Sequence, residues 1–487
     1  MAGNDRTTNE PESALAERRI SRRVVLQSGL FASGAAFLAA CGASSPSASA
    51  APASSAAAPS TSAAASSAAP SSAAPSATPV AEDFSGVTLH NFTGGYMIPW
   101  LDAGTAKRTA ETKGQATQDN VTFEEKQIKQ AGVIATQDSS YDMMYTTSAY
   151  GYIPKFGKRL LLPVTEDVFG PLGDFFDNAK AALTTDDGVL RALPLYASPA
   201  VWSWNKKLFE QIGEDGENPP DNYPDLFKLA PKFKQAGLIP SIQPWLATQA
   251  ILFAQLYFTY IWNSTGKPMF SPDFTQVGFD NDEGKEVFAV IEEGFKSGWW
   301  DPKYMNLENE HDAYKIFGEG KTGAVRNSES PVLTGDMEIL SDTHGVRPQP
   351  GYKAGTSGST GGPDGLGVSK FSVQQDASWS WAKRNFSQEI GLAAATTVKD
   401  STGALVLYPV AMTSVATDPK TIEAQPLQPV YVEQNKFQTD PWSTPYDTTP
   451  VFNEVISKMI SGEYDAAKGH AAAVQGCNDI IIKYLSS

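Results

Sequence analysis

The sequence has few cysteines, few histidines and few positive charges, and each shortage excludes a class of protein. Its 487 residues include 2 cysteines and 4 histidines, so at most one disulfide can form and zinc sites built on cysteine sets lack the sulfurs or the spacing. Lysine and arginine number 38 against 54 acidic residues, a formal charge of −16. Such a chain lacks the basic face used to bind nucleic acid or anionic lipid. We expect no nucleic-acid partner, metal or cofactor.

The amino-terminal 40 residues have the pattern of an export signal. Ser21-Arg22-Arg23-Val24-Val25-Leu26 precedes a short apolar run that ends at Ala40, and a basic segment before such a run is typical of signal peptides. The paired arginines resemble the twin-arginine signal of proteins exported already folded, or they supply charge to an ordinary Sec signal. Leu38-Ala39-Ala40-Cys41 resembles a bacterial lipobox, which implies cleavage before Cys41 and a lipid on its thiol.

The next segment is of low complexity. Residues 42–80 contain only Ala, Ser, Pro and Thr besides one Gly and one Val, a composition that cannot form a core. We expect residues 41–81 to be a lipidated cysteine with a disordered tether of about 35 Å typical reach. Residues 82–487 are then the folded body, anchored to the outer face of the cytoplasmic membrane. Removal of residues 1–40 takes away five arginines and four acidic residues, which leaves −17 on the body.

Short strand-like and amphipathic helical segments alternate in the body, which indicates an α/β fold. We predict a first strand at Val87–Leu89, a buried strand at 141–145 and a helix that carries Phe452, Val455, Ile456 and Met459 inward. Asp282 is predicted to cap another helix. Cys477 is predicted to be a buried thiol on a helical stripe with Ala467, Ala471, Val474 and Ile481.

Several stretches occur in an order that resembles a known family. They are Gly188-Val-Leu-Arg-Ala-Leu-Pro-Leu-Tyr196, Val201-Trp-Ser-Trp-Asn-Lys-Lys-Leu-Phe209, Pro219–Leu226 and Phe317–Val325. The set resembles the extracellular solute-binding proteins of ABC importers, especially the sugar-binding group related to maltose-binding protein, from about Val87 to Leu485. Two segments depart from the family pattern, at Asn91–Tyr96 and at Glu329-Ser330-Pro331.

The resemblance implies a two-lobed, periplasmic-binding-protein-like (type II) α/β fold with a hinge and an interlobe cleft. Lobe 1 would comprise about residues 84–195 and 327–410, and lobe 2 about residues 200–325 and 411–487. The chain would cross between the lobes near Leu195–Val201 and again near Arg326–Pro331. Hinge closure would then bury the ligand between two half-sites.

Aromatic and polar residues near the implied cleft are candidates for ligand contact, because sugars offer apolar faces to rings and hydroxyls to polar groups. Each aromatic could equally be core, and the glycines a plain turn. The resemblance favours Tyr196 and Trp245. The full set is Tyr96, Tyr145, Tyr196, Trp202, Trp245 and Trp442, with Ser148, Ser198, Asn327, Glu329 and Asp364 as polar partners and Gly361 and Gly362 as backbone contacts.

The expected function is therefore that of a monomeric substrate-binding lipoprotein, which delivers a carbohydrate to an ABC permease and has no catalytic residue. The absence of clustered Lys or Arg in the cleft segments favours a neutral or cationic ligand. One alternative is a secreted glycosidase, which needs two carboxylates about 5–9.5 Å apart, with Glu329 and Asp364 as the pair. Another is the same fold with a peptide, polyamine or other polar solute as ligand, or with a sensor role.

Overall fold

Helices and strands alternate along the chain, and the strands form two sheets. The computed structural model describes residues 82–94, 97–121, 123–147, 153–195, 197, 199–247, 253–271, 273–308, 310–327, 343–360, 363–399, 410–437 and 447–486. The strands in these ranges are β1 (Thr88–Thr93), β2 (Gln115–Asn120), β3 (Met143–Thr147), β4 (Leu193–Pro194), β5 (Val201–Asn205), β6 (Ile239–Ile242), β7 (Thr322–Asn327), β8 (His344–Pro348) and β9 (Asp364–Val368).

The first sheet has the order β2-β1-β3-β9-β4. Strand β1 runs parallel to β2 and β3, and β9 runs antiparallel to both β3 and β4. Strand β3 is buried along its whole length, as expected for a central strand covered on both faces. The predicted buried strand is thus confirmed, shifted by two residues.

The second sheet has the order β6-β7-β5-β8. Strand β6 runs parallel to β7, and β5 runs antiparallel to β7 and β8. On β5 the side chains alternate between the two faces, so Trp202 and Trp204 share one face. Their rings stack with centroids 5.4 Å apart.

Helices connect the strands and pack on both sheets. In chain order they are α1 (Ile98–Thr112), α2 (Phe123–Thr136), α3 (Lys158–Leu160), α4 (Glu166–Phe169), α5 (Asp177–Ala182), α6 (Lys206–Gln211), α7 (Tyr223–Phe227), α8 (Ala230–Gln235), α9 (Phe253–Asn263), α10 (Asp282–Ser297), α11 (Glu310–Gly318), α12 (Gln375–Asn385), α13 (Gln388–Thr396), α14 (Thr413–Ala416), α15 (Pro419–Ala424), α16 (Gln428–Asn435), α17 (Thr449–Ile460) and α18 (Ala466–Leu485). A π-helix (Ile153–Gly157) precedes α3, and a 3-10 helix (Pro302–Tyr304) follows α10.

Each sheet lies in its own hydrophobic core. The first core contains Leu89, Trp100, Met144, Leu366 and Trp381, and the second contains Trp202, Phe258, Trp262, Trp300 and Cys477. Because these clusters are separate, the described residues divide into two lobes. The helix predicted from Phe452, Val455, Ile456 and Met459 is confirmed as α17, with all four side chains buried in the second core.

The prediction of Asp282 as a helix cap is wrong by one residue. Asn281 caps α10, since its side-chain oxygen accepts a 3.0 Å hydrogen bond from the backbone N–H of Gly284. Asp282 is the first helical residue, and its side chain is 90% exposed. Its carboxylate there interacts favourably with the helix dipole.

Cys477 is fully buried in α18, as predicted, but the stripe it belongs to differs. Ala473, Cys477 and Ile481 face the core, whereas Ala467 and Ala471 are exposed. Ala471 lies six residues before Cys477, which at 3.6 residues per turn places it about 120° around the helix from Cys477. Burial raises the pKa of the Cys477 thiol to about 12.

The lobe boundaries differ from the predicted ones at two places. Strand β8 falls within the residues predicted for lobe 1, yet it pairs with β5 along its whole length in the second sheet. The chain therefore crosses back between Pro348 and Asp364, not near Arg326–Pro331. Residues 411–424 were predicted for lobe 2, but Ala411, Met412 and Val415 pack in the first core.

Candidate functional site

The strand ends define the edge at which the two sheets approach each other. In the first sheet Thr147 ends β3, and Asp364 lies opposite it at the start of β9. The first crossing leaves β4 at Pro194 and enters β5 at Val201. Val201 lies opposite Asn327, the last residue of β7. Ligands of open α/β sheets bind outside the carboxyl ends of the strands, so these ends mark a candidate cleft, and we call them the cleft edges.

Two predicted site residues meet at the cleft edge of the first sheet. The hydroxyl of Tyr145 donates a hydrogen bond to a carboxylate oxygen of Asp364, and both side chains are buried. They come from β3 and β9, which pair in antiparallel register. This contact fixes the tyrosine ring and places a negative charge beside it.

Two helical residues that the sequence reasoning missed complete this group. The ammonium nitrogen of Lys126 lies 3.5 Å from the centroid of the Tyr145 ring, a cation–π contact. The side-chain amide of Gln130 donates a 2.7 Å hydrogen bond to the backbone oxygen of Tyr145. Both residues lie on α2, which follows β2. Their spacing of four places them on one helix face, a signal that could have identified them.

Trp202 lies on the second sheet and is 2% exposed. The Arg347 guanidinium sits 4.9 Å from its ring centroid, on the neighbouring strand β8. One Arg347 nitrogen donates a 2.6 Å hydrogen bond to the backbone oxygen of Pro219. Burial lowers the pKa of Arg347 to about 10, so the group is still charged at neutral pH.

Trp245 follows β6 and lies wholly inside the second core, with 0% exposure. Its ring packs edge-to-face on Tyr257, Phe295 and Trp300, with centroids 5.1–5.5 Å apart. Its indole nitrogen has no hydrogen-bond partner within the described residues. The structure thus places Trp245 among the aromatic residues of the second core, which also contains Trp202, and not in the first core with Tyr145.

A charged pair that the sequence reasoning missed lies beside Asn327. Arg326 donates a 2.9 Å hydrogen bond to the carboxylate of Glu310, the first residue of α11. The guanidinium lies 5.3 Å and 4.7 Å from the ring centroids of Tyr257 and Tyr260 on α9. Burial raises the pKa of Tyr257, so its hydroxyl stays protonated. This pair places a cation, an anion and two rings at the cleft edge of the second sheet.

Most of the other predicted site residues lie outside the described part of the chain. They are Tyr96, Ser148, Tyr196, Ser198, Glu329, Gly361, Gly362 and Trp442, together with the signal segment, Cys41 and the tether. The described residues contain no cluster of three or more His, Cys, Asp or Glu side chains suited to a metal ion. In the same ranges, every helix is too short or too polar to cross a membrane.

Comparison with solved structures identifies the fold. A cyclic alpha-maltosyl-1,6-maltose binding protein from Arthrobacter globiformis is 18% identical, with a TM-score of 0.66 over 82% of this chain and 99% of that one. The sugar-binding protein MalE from Xanthomonas citri is 13% identical, with a TM-score of 0.68 over 82% of this chain and 98% of that one. The two-lobed fold of periplasmic sugar-binding proteins, predicted from the sequence, is confirmed.

Comparison with curated proteins and with family models identifies the family. The sn-glycerol-3-phosphate-binding periplasmic protein UgpB of Agrobacterium fabrum is 27% identical over 81 residues, which is 16% of this chain and 19% of that protein. The family model described as bacterial extracellular solute-binding protein matches residues 109–387, more than half of the chain. The chain therefore belongs to the family of bacterial extracellular solute-binding proteins.

Proposed function

We propose that this protein captures a carbohydrate in its interlobe cleft and delivers it, chemically unchanged, to the permease of an ABC importer. The observation that carries the proposal is the group of Lys126, Tyr145 and Asp364 at the cleft edge of the first lobe. It combines a flat ring with a charged donor and a charged acceptor. Sugars require this combination, since they present apolar faces and hydroxyls together.

The similar solved structures support the same ligand class. Their descriptions name a cyclic maltosyl-maltose and, for a Listeria monocytogenes protein 16% identical to this chain, cycloalternan. These similarities are fold-level, so the ligand class for this chain rests on the side chains at the cleft edges. We therefore propose Tyr145, Asp364 and Trp202 as site residues. Tyr96, Ser148, Tyr196, Ser198, Trp245, Asn327, Glu329, Gly361, Gly362 and Trp442 stay predictions.

The segments that cross between the lobes are joined through one residue, which supports hinge closure as the capture mechanism. Gln349, just after β8, donates from its side chain to the backbone oxygen of Val201 at 2.5 Å. Its backbone N–H donates to the Gln434 side chain on α16 at 2.6 Å. A compact hydrogen-bonded junction lets two lobes rotate as bodies while their contacts stay local.

The export signal and Cys41 support attachment to the outer face of the membrane. In this proposal residues 1–40 are cleaved, Cys41 carries acyl chains that hold the protein by burial of CH₂ groups, and residues 42–80 let the body reach the permease. Globomycin, which blocks lipoprotein signal peptidase, should leave residues 1–40 attached. Mass spectrometry of the membrane fraction shows whether residues 1–40 are still attached.

Isothermal titration calorimetry tests the ligand proposal. The panel contains maltose, D-tagatose and cyclic alpha-maltosyl-1,6-maltose as neutral sugars and sn-glycerol 3-phosphate as an anion. We expect saturable binding of at least one neutral sugar, recovered intact by chromatography. Hydrolysis of the bound sugar would favour the glycosidase alternative, and binding of the anion alone would favour a non-sugar solute.

A further inference from the structure

Arg326 is a buried cation with unused donors at the cleft edge of the second lobe. It is the next-to-last residue of β7 and is 5% exposed. One terminal nitrogen donates to Glu310, while Nε and the other terminal nitrogen have no hydrogen-bond partner in the described residues. Leaving charged donors buried and unsatisfied costs stability, and a bound ligand with hydrogen-bond acceptors would satisfy them.

The surroundings of Arg326 limit what that acceptor can be. Glu310 lies 2.9 Å away and neutralises the guanidinium. Across the cleft, Asp364 likewise accompanies Lys126 around the Tyr145 ring. Each of these two pairs is therefore neutral as a unit and gives no net attraction for an anion. The Arg347 guanidinium beside Trp202 donates instead to the backbone oxygens of Pro219 and Pro220. An anionic ligand would also approach two carboxylates.

The donor and acceptor pattern fits adjacent hydroxyl groups. The two terminal nitrogens of a guanidinium, like Nε and the terminal nitrogen on its side, carry parallel N–H bonds that can donate to two neighbouring oxygens at once. The terminal nitrogen bonded to Glu310 keeps a second hydrogen, which can act with that of an unpartnered neighbouring nitrogen in such a pair. The Glu310 carboxylate accepts one hydrogen bond from Arg326 and has lone pairs left to accept from a hydroxyl. A hydroxyl both donates and accepts, so two adjacent hydroxyls can satisfy both partners. The rings of Tyr257 and Tyr260 provide apolar surface beside the pair.

We infer that the Arg326–Glu310 pair is a recognition group for a vicinal diol of a neutral sugar, contributed by the second lobe. The inference rests on the proposed function, because it names the part of the carbohydrate that this lobe binds. It also adds to the predicted site two residues that no sequence motif indicated. An acidic sugar, by contrast, would meet the Glu310 charge.

Two variants test the pair, with a matched control. Arg326→Lys keeps the charge and removes the forked donors, and Glu310→Gln keeps the size and removes the negative charge. Arg191→Lys makes the same change in the first lobe, where Arg191 donates to Asp187 at 2.8 Å near the end of β9 away from the cleft edge. Thermal melts establish that each variant folds. Glu310, with 19% of its side chain exposed, can be replaced with less risk to folding.

Binding of the tightest neutral sugar of the panel and of its monodeoxy analogues is then measured by calorimetry on the full-length protein. We expect Arg326→Lys and Glu310→Gln to weaken binding by about 10- to 100-fold, and Arg191→Lys by less than about twofold. One monodeoxy analogue should bind weakly to the wild type and lose little further affinity in the variants, because it lacks a hydroxyl of the diol.

Three outcomes would overturn the inference. If a neutral sugar binds and Arg326→Lys, Glu310→Gln and Arg191→Lys all bind it like the wild type, the pair has no recognition role while the proposed function stands. If Glu310→Gln tightens binding of an acidic sugar such as glucuronic acid above that of every neutral one, the ligand is anionic. If no sugar binds the wild type, the proposed function fails, and the inference fails with it.

Discussion

The hydroxyl of Tyr145 donates a hydrogen bond to the carboxylate of Asp364, although 219 residues separate them in sequence. The contact exists because β3 and β9 pair in antiparallel register at the cleft edge. It holds a flat ring and a carboxylate in one fixed arrangement. Ligand binding therefore requires little further ordering of these two groups, which favours affinity.

Tyr145→Phe keeps the ring and removes only the hydroxyl. We expect the affinity for the bound sugar to fall about 10-fold, which is about 1.4 kcal/mol, because the ring and the carboxylate lose the contact that orders them before binding. Tyr464→Phe is the control, since Tyr464 accepts a hydrogen bond from Lys458 between α17 and α18. Calorimetry measures the affinity of the wild type and both variants for the sugar. Equal losses of affinity in the two variants would show that Tyr145 has no specific role in binding.

Asn281→Ala removes the cap of α10. Loss of the hydrogen bond to the N–H of Gly284 should lower the free energy of unfolding by about 1 kcal/mol. Asp282→Ala should have a smaller effect because that side chain is 90% exposed. Urea unfolding of the two variants measures the difference. A larger loss of stability in Asp282→Ala than in Asn281→Ala would instead indicate that Asp282 is the cap.

Gln349→Leu breaks the hydrogen bond that its side chain donates at the junction of the lobes. The Val201 backbone oxygen then loses its 2.5 Å donor, so we expect the free energy of unfolding to fall by about 1–3 kcal/mol. Gln375→Leu, at an exposed hydrogen bond to Lys370, should change it by much less. Small-angle scattering with and without sugar would show whether the junction also controls closure. A Gln349→Leu protein of unchanged stability would contradict this role.

Asp187 should contribute to the loss of stability in acid. A hydrogen bond from the Thr185 hydroxyl, assisted by Arg191, lowers the pKa of Asp187 from 3.8 to about 2. A lowered pKa stabilises the folded state above the unfolded value, and this contribution is lost as the pH falls from about 4 to about 2. Asp187→Asn should therefore be less stable than the wild type at pH 7, and the difference should shrink near pH 3. Urea unfolding of the wild type and Asp187→Asn at pH 7 and at pH 3 measures the difference, and a difference of equal size at both pH values would contradict this role.

The reactivity of the two cysteines toward thiol reagents tests two predictions together, the lipidation of Cys41 and the burial of Cys477. Cys477 is buried and the pKa of its thiol is raised to about 12, so thiol reagents should label it only after unfolding. In protein purified from membranes we expect no reactive thiol when folded and one after denaturation, because Cys41 carries lipid. Protein with Cys41 unmodified should show one reactive thiol when folded. A reactive thiol in the folded, membrane-purified protein would contradict lipidation.

Periodicity and the ordered set of family-like segments were enough to predict the fold. Strand β3 and helix α17 were recognisable because their apolar residues follow one spacing over a whole element. The return crossing after β8 was misplaced, because β8 is a short, half-buried edge strand and pairs with β5, which is distant along the chain. The local sequence gives no signal for pairing between strands that are distant along the chain.

The candidate site was only partly predictable, for the same reason. Tyr145 and Asp364 were proposed because the family resemblance placed both near the implied cleft. Lys126 was missed since a lysine on a helix is normally solvated, and only the packing of α2 on β3 reveals its contact with the ring. Arg326 was missed because its partner Glu310 and the rings of α9 come from separate segments, and their meeting depends on tertiary packing.

The central claim is that this family member binds a neutral carbohydrate without changing it. The most direct test is calorimetric titration of the purified full-length protein with the neutral sugars of the panel, followed by chromatography of the released ligand. We expect saturable binding of at least one sugar, with one site per chain and the sugar recovered intact. Failure of every neutral sugar to bind, or release of a hydrolysed product, would contradict it.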